Sequence, residues 1–145
     1  MDLDGAYEES NVFARILRGE IPKALVCEDA DTLAFMDAFP QSPGHCLVIS
    51  KRARARNILD VERPALEAII DTVQRVARAV RAALNPDGIT VTQFNGAAAG
   101  QTVYHLHFHV IPRYRARPLD RHATAMADPA ELARLAEQIA ARLGS

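Results

Sequence analysis

Three histidines alternate with apolar residues in the second half of the chain, and this spacing constrains the fold more than any other feature. His105, His107 and His109 are each separated by one apolar residue. Because successive side chains of a β-strand point to opposite faces, the pattern predicts a strand over residues 103–111. Its apolar residues would face a core, and all three imidazoles would lie on the other face. With 5 histidines in 145 residues, chance would produce such a triplet in well under about one chain in a hundred.

The remaining periodicity predicts an α+β fold. Apolar residues recur at helical spacing over residues 63–84, a short N-terminal helix is predicted at 12–18, and Asp128 is placed to cap a C-terminal helix. Residues 95–100 are small and flexible and predict a loop. Apolar runs predict strands at 24–27, 32–36, 45–50, 89–94 and 103–111. This order favours a mostly antiparallel sheet that packs against the helices.

The length of the chain predicts a single domain over residues 1–145. Residues 1–10 are acidic and predict a loose N-terminal arm, and residues 114–145 predict a C-terminal extension that carries the last helix. Lys and Arg together number 17 and Asp and Glu 18, which gives a net charge of −1. This balance favours neither nucleic acid nor a membrane surface as a partner.

The sequence also predicts a cytoplasmic protein. Its N-terminus lacks the basic and then apolar profile of a signal peptide, and no apolar run approaches the roughly 20 residues of a membrane span. Cys27 and Cys46 lie in apolar surroundings without a Cys-x-x-Cys spacing, which indicates a reducing compartment.

A metal site is one interpretation of the histidine row. On a regular strand, His105 and His109 would be about 13 Å apart at Cα, whereas zinc needs each nitrogen within about 2.0–2.1 Å. Two of the three imidazoles could share an ion, but no glutamate follows at close spacing. His122 lies in an arginine-rich segment and is expected to be solvated. The metal interpretation is therefore the weaker one.

A division of labour among the imidazoles fits better, with one as nucleophile and its neighbours in support. Histidine has an ordinary pKa of about 6.5, so a neutral ring offers a nitrogen lone pair at neutral pH. A backbone carbonyl that accepts from Nδ1–H would leave Nε2 free to attack phosphorus. The small residues 96–100 would let backbone N–H groups approach phosphate oxygens, and Gln101 and Thr102 add neutral donors.

The sequence resembles the histidine-triad (HIT) superfamily in its bacterial branch. The resemblance covers residues 11–113 and rests on GQTVYHLHFHVI at 100–111 and PGHCLVI at 43–49. It implies a HIT-like fold with a five-stranded sheet and a nucleotide hydrolase or transferase that is usually a homodimer. The intact third histidine differs from the uridylyltransferase branch, in which glutamine stands at that position.

The resemblance implies a role for each matching residue. His107 would attack the α-phosphorus, His109 would contact the phosphate and the leaving group, and His105 and His45 would form the supporting hydrogen-bond shell. Asp37 would bind the ribose hydroxyls. The base would be bordered by Phe13, Ile16 and Phe35, and the phosphate oxygens would be held by Asn95, Gly100, Gln101 and Thr102. Without the resemblance, Asp37 could be a turn residue, His45 a satisfied core histidine, and both phenylalanines plain core.

Some positions depart from the family pattern. Many bacterial relatives bind a structural zinc through positions that are occupied here by Asn11, Ala14 and Ala53, so neither a metal nor a cofactor is expected. Phe94 stands where some branches have an amide. Lys51, Arg52, Arg54 and Arg56 are expected to form a solvated loop.

The expected activity is hydrolysis at the α-phosphate of a purine nucleotide through a covalent nucleotidyl-histidine. The substrate would be a nucleoside phosphoramidate or a dinucleoside polyphosphate, and the sequence does not decide between them. The alternative is a nucleotide-binding interaction protein with little turnover. The complete triad favours the enzyme, because binding alone would not require an activated nucleophile.

Overall fold

The computed structural model describes residues 3–119 and 125–144. Three helices and five strands are formed in the order α1 (Val12–Leu17), β1 (Leu25–Glu28), β2 (Thr32–Met36), β3 (Cys46–Ser50), α2 (Arg63–Leu84), β4 (Gly88–Thr92), β5 (His107–Arg113) and α3 (Pro129–Ala140). His122, which was expected to be solvated, lies outside the described residues. None of the helices in the described ranges is long and apolar enough to cross a membrane.

The five strands form one antiparallel sheet in the order β1-β2-β3-β5-β4. The long helix α2 and the C-terminal helix α3 pack against each other and against the sheet. The predicted α+β architecture, with a five-stranded sheet, a long helix and two shorter ones, is confirmed.

The sheet has two buried faces with different partners. On one face, alternate residues such as Ala34, Val48 and Phe108 join the main core under α2 and α3. On the other face, Phe13 and Ile16 of α1 pack against the sheet and form a second apolar cluster with its residues Leu33, Phe35, Leu47 and Ile49. We call this second side the α1 face.

The histidine strand begins later than the sequence predicts. β5 starts at His107 rather than at residue 103, so His105 precedes the strand. The backbone N–H of Leu106 donates to the carbonyl of Ala55 at 2.9 Å, which lies in the loop after β3 and not in a neighbouring strand. Alternation therefore holds for His107 and His109, whereas loop contacts position His105.

The N-terminal arm has no helix or strand over residues 3–10, but it is not loose. The buried side chains of Arg56 and Asn57 donate hydrogen bonds to the carbonyls of Ala6 and Leu3, at 3.1 and 3.0 Å. The expectation of a loose arm fails because these backbone carbonyls satisfy buried donors. Arg56 is 3 % exposed, so the expectation of a fully solvated basic loop fails at this position.

The other boundaries shift by one or two residues at most. The predicted strand at 89–94 is observed as Gly88–Thr92, and the predicted loop at 95–100 contains a short 3-10 turn, Ala97–Ala99. The helix over residues 63–84 agrees with α2 at both ends. Asn11 and Asp128 each accept a hydrogen bond from the first turn of the helix that they cap.

Candidate functional site

The strand register brings two histidines onto the α1 face beside apolar neighbours. His109 pairs with Leu47 of β3, and His107 pairs with Ile49. Leu47 in turn pairs with Phe35 of β2. The two imidazoles therefore stand in adjacent rows at one end of the apolar cluster on this face.

His107 is held in one tautomer by the backbone. Its Nδ1 lies 2.7 Å from the carbonyl oxygen of His105. Since a carbonyl can only accept, Nδ1 carries the proton and Nε2 carries the lone pair. The ring is buried, and Phe13 stacks edge-on against it with a centroid distance of 4.8 Å. This arrangement provides an oriented nucleophile on the α1 face.

His105 contributes through its backbone and is held through its ring. Its Nε2 donates to the carbonyl of Ser50 at 3.1 Å, and its Nδ1 lies 2.7 Å from the hydroxyl of Tyr7. Burial lowers the pKa of His105 from 6.5 to about 4, so the ring is neutral at neutral pH. The sequence interpretation missed Tyr7, because nothing in an acidic segment without periodicity indicates that it reaches the triad.

The hydrogen bond from His45 fixes the tautomer of His109. The backbone N–H of Gln41 donates to Nδ1 of His45 at 3.1 Å, so His45 carries its proton on Nε2. That nitrogen lies 2.9 Å from Nδ1 of His109. His109 therefore accepts at Nδ1 and, as a neutral ring, keeps its own proton on Nε2. The two strand histidines present opposite chemistry, a lone pair on His107 and an N–H on His109.

Asp37 lies beside these two rings. Its Oδ2 is 3.4 Å from Nε2 of His45, and its Oδ1 accepts from the backbone N–H of Phe39 at 2.9 Å. Its carboxylate is buried, with a residue exposure of 5 %. The family resemblance implies a contact between Asp37 and ribose hydroxyls, and the carboxylate has further lone pairs to accept them.

The three residues expected at the base form an apolar patch next to His107. The side chains of Phe13 and Phe35 meet edge to face with a centroid distance of 5.6 Å, and Ile16 packs in the same cluster. All three are buried. The structure brings them together, and in this state they also serve as ordinary core.

The loop before the histidines departs from the expected phosphate contacts. Gln101 is buried, and its amide accepts from the backbone N–H of Gly96 at 2.8 Å and donates to the carbonyls of Arg56 and Val103. The side chain of Gln101 therefore fastens the loop instead of presenting donors to a phosphate. Its sequence position directly after Gly100 could not show that the loop backbone would need these partners.

The other loop residues that were expected to hold the phosphate differ in how accessible their polar groups are. Asn95 accepts from the backbone N–H of Ile58 at 3.0 Å and from the amide of Gln93 at 2.8 Å, so its carbonyl oxygen is engaged in the protein. Gly100 ends the 3-10 turn at a φ of 101°, a left-handed conformation that favours glycine. Thr102 is exposed and leaves its hydroxyl on the surface.

Two groups of residues bear on metal binding. Asp37, His45 and His109 place their ligand atoms within 4.8 Å of one another. Two nitrogens that share a tetrahedral zinc lie roughly 3.3 Å apart, farther than the 2.9 Å that joins His45 to His109. A zinc ion would thus displace this hydrogen bond. At the family's structural zinc positions, Asn11 caps α1 by accepting from the N–H of Ala14.

The chain matches the family model described as HIT domain over residues 18–116. The chain belongs to the HIT domain family. The HIT match confirms the family resemblance that the histidine strand indicated.

Individual HIT relatives are similar to this chain over most of their length. The chain is 39 % identical over 106 residues to Protein hit of Bacillus subtilis, covering 73 % of this chain and 72 % of the relative. It is 38 % identical over 104 residues to the adenosine 5'-monophosphoramidase hnt1 of Schizosaccharomyces pombe, covering 72 % and 74 %. A crystal structure of a Hit-like protein from Bartonella henselae superposes with a TM-score of 0.91 and 47 % identity, covering 96 % of this chain and all of that one.

Proposed function

We propose that this HIT protein hydrolyses a purine nucleoside phosphoramidate through a nucleotidyl intermediate on His107. Membership of the HIT family supports nucleotide binding or hydrolysis at the general level. The phosphoramidate class is supported by the similarity to hnt1, which is an adenosine 5'-monophosphoramidase. The observation that carries the proposal is the hydrogen bond from Nδ1 of His107 to the His105 carbonyl, because it leaves Nε2 as the nucleophile.

The first chemical step uses the opposite protonation of the two strand histidines. Nε2 of His107 attacks the α-phosphorus, an N–P bond forms, and the bond from phosphorus to the leaving-group nitrogen breaks. His109 takes up one further proton from solvent as the anionic substrate binds, and its Nε2–H then passes to the departing amine, which leaves His109 as a neutral ring with a lone pair on Nε2. The remaining proton of His109 lies on Nδ1, and the His45 N–H donates instead to Oδ2 of Asp37, which is 3.4 Å away in the resting structure. The lone pair on Nε2 of His109 accepts a proton from water in the second step.

The second step restores the enzyme. A water molecule gives its proton to Nε2 of His109 and attacks phosphorus, and the N–P bond to His107 breaks. The product is the nucleoside monophosphate, and His109 returns its additional proton to solvent, so that both imidazoles regain the protonation inferred for the resting structure. The apolar cluster around Phe13 and Phe35 would border the base, and Thr102 would supply a hydroxyl to the phosphate.

Rapid quench of the enzyme with an adenosine phosphoramidate that carries a labelled phosphate tests this proposal. One acid-labile adenylate per active site is expected, and it should map to His107. Label on another residue would overturn the mechanism. Tight nucleotide binding without any label or turnover would favour the alternative, a nucleotide-binding protein that acts through interactions.

We also propose that the protein works in a reducing compartment such as the cytoplasm. Cys27 and Cys46 are both free thiols, and Cys46 is fully buried. Its Sγ lies 3.8 Å from the Met36 sulfur, within the main core. A buried free thiol of this kind is typical of proteins that fold without disulfides.

A further inference from the structure

The N-terminal arm crosses the loop that follows β3 and makes specific contacts there. Arg56 and Asn57 of this loop hold the carbonyls of Ala6 and Leu3. A β-carbon added at Gly5 would come within 2.9 Å of the Arg56 guanidinium, so the arm lies directly on that side chain. The path of the arm is therefore fixed on the N-terminal side of Tyr7.

Tyr7 is the residue through which the arm reaches the triad. Its hydroxyl lies 2.7 Å from Nδ1 of His105, and its ring lies under the Arg54 guanidinium at 5.4 Å from the centroid. Arg54 also pairs with Glu9 at 2.6 Å, which fastens the arm beyond the tyrosine. Partial burial raises the pKa of Tyr7 above 10, so its hydroxyl keeps its proton at neutral pH.

The direction of the Tyr7 hydrogen bond follows from the other side of the ring. The carbonyl of Ser50 must accept from Nε2 of His105, which leaves Nδ1 with a lone pair. Tyr7 therefore donates to His105. The imidazole is held between a strand carbonyl and an arm hydroxyl, and both of its nitrogens are satisfied.

The hydrogen bond from Tyr7 to His105 affects His107 because of where His105 lies in the chain. His105 precedes β5, so no strand ladder holds its carbonyl, the group that accepts from His107. The next N–H, that of Leu106, is held by Ala55 at 2.9 Å. The His105 ring is the second point at which this short segment is fastened.

We propose that Tyr7 is a positioning residue that orients His107 through His105. Without the Tyr7 hydroxyl, the buried Nδ1 lone pair of His105 loses its hydrogen-bond donor. The imidazole keeps its hydrogen bond to the Ser50 carbonyl, but its orientation is less restricted. The carbonyl of His105 then holds Nδ1 of His107 less firmly, and Nε2 spends less time in line with phosphorus. This inference rests on the proposed function of His107 as the nucleophile.

The Tyr7→Phe variant removes this hydroxyl and keeps the ring. We expect the single-turnover rate of adenylation to fall about three- to tenfold, as for one lost hydrogen bond, with little change in KM. Tyr114→Phe is the matched control, because Tyr114 is also half-buried and its hydroxyl donates one hydrogen bond, to the carbonyl of Pro43 at 3.0 Å. The control should keep the wild-type rate. Equal rates for wild type and Tyr7→Phe would overturn the proposal.

A double-mutant comparison shows whether Tyr7 acts through His105. In a His105→Gln background, Tyr7→Phe should cause no further loss of rate, because its partner is already absent. Multiplied losses in the double variant would show that Tyr7 acts by another route and would contradict the proposal.

Imidazole nitrogen NMR of the unliganded protein tests the contact without turnover. In Tyr7→Phe, the Nδ1 signal of His105 should shift to that of a lone pair without a hydrogen bond, and the His107 Nδ1–H proton should exchange faster with water. In Tyr114→Phe both signals should stay at the wild-type position. Unchanged signals in Tyr7→Phe would refute the role of Tyr7. Normal NMR behaviour in a wild type that forms no adenylate would instead refute the proposed function alone.

Discussion

Nδ1 of His107 donates to the carbonyl oxygen of His105 across 2.7 Å, so one histidine of the row sets the tautomer of the next. The donor side of the pair lies on a strand, whereas the acceptor side lies in the loop before it. The nucleophilic nitrogen of His107 is thus defined jointly by the sheet and by loop contacts.

Replacement of His107 by Ala separates turnover from binding. We expect turnover to fall by several orders of magnitude, on the order of 10⁴-fold, because the attacking atom is lost. Nucleotide affinity should change little, since Phe35 and Asp37 keep their places. Phosphoramidate turnover and calorimetric titration with adenosine monophosphate measure the two effects. Wild-type turnover in this variant would contradict the proposed mechanism.

Replacement of His109 by Ala should cost less than replacement of His107, and the cost should depend on the leaving group. An alkylamine needs a proton as it departs, whereas a nitrophenolate does not, so the rate should fall more for an alkylamidate than for a nitrophenyl ester. The ratio of the two rates in wild type and variant measures this. Equal losses for both substrates would show that His109 does not protonate the leaving group.

The stability of the protein should decrease as the pH falls from 6.5 toward 4. Burial lowers the pKa of His105 to about 4, so between these two values the unfolded state binds more protons than the folded state. The stabilisation is present above pH 6.5 and lost as the pH falls through the folded pKa. His105 alone should account for about 2 kcal/mol of unfolding free energy between pH 7 and pH 5.

Urea unfolding at both pH values, followed by circular dichroism, checks this expectation. His105→Gln should show a smaller difference between pH 7 and pH 5 than wild type. The same pH dependence in both proteins would argue that burial of His105 is not the cause.

We expect the protein to form a homodimer, as the family resemblance implies. In the described residues, β4 pairs on one side only, with β5, and Val91 is 48 % exposed along it. Ile70 of α2 is 47 % exposed. Light scattering at micromolar concentration should give about twice the chain mass of 15.9 kDa.

A charged residue on β4 should weaken this dimer. Val91→Lys should shift the mass toward that of the monomer, whereas Leu59→Lys should not, because Leu59 is an exposed apolar residue in the loop after β3 and does not lie on β4. A wild-type protein that scatters as a 15.9 kDa species would contradict the expectation.

Chelation should leave the chemical step intact, because the proposed mechanism uses only imidazole groups and water. Added zinc should slow turnover instead, since an ion held by Asp37, His45 and His109 would break the hydrogen bond from His45 to His109. Turnover with and without a chelator, and along a zinc titration, measures both effects. Activity lost on chelation and restored by zinc would show that the reaction depends on metal.

Local periodicity in the sequence was enough to predict the helices and the position of the histidine side chains on one face of β5. The apolar repeat over residues 63–84 gave α2 at both ends, because one helical face must be buried along its whole length. Strict alternation placed His107 and His109 on the same side of β5. The combination of that strand with the segment 43–49 also indicated the family.

Which atoms face each other in the site depends on the folded chain, because those contacts join residues that are far apart in the sequence. Tyr7 meets His105 across 98 positions, and no periodicity in either segment predicts this pair. The amide of Gln101 is hydrogen-bonded to backbone groups, among them the carbonyl of Arg56. This contact exists only when the loop is folded against Arg56, and the sequence does not predict it. A buried donor or acceptor takes whichever partner the packed chain brings within reach, and the sequence alone does not show which partner that is.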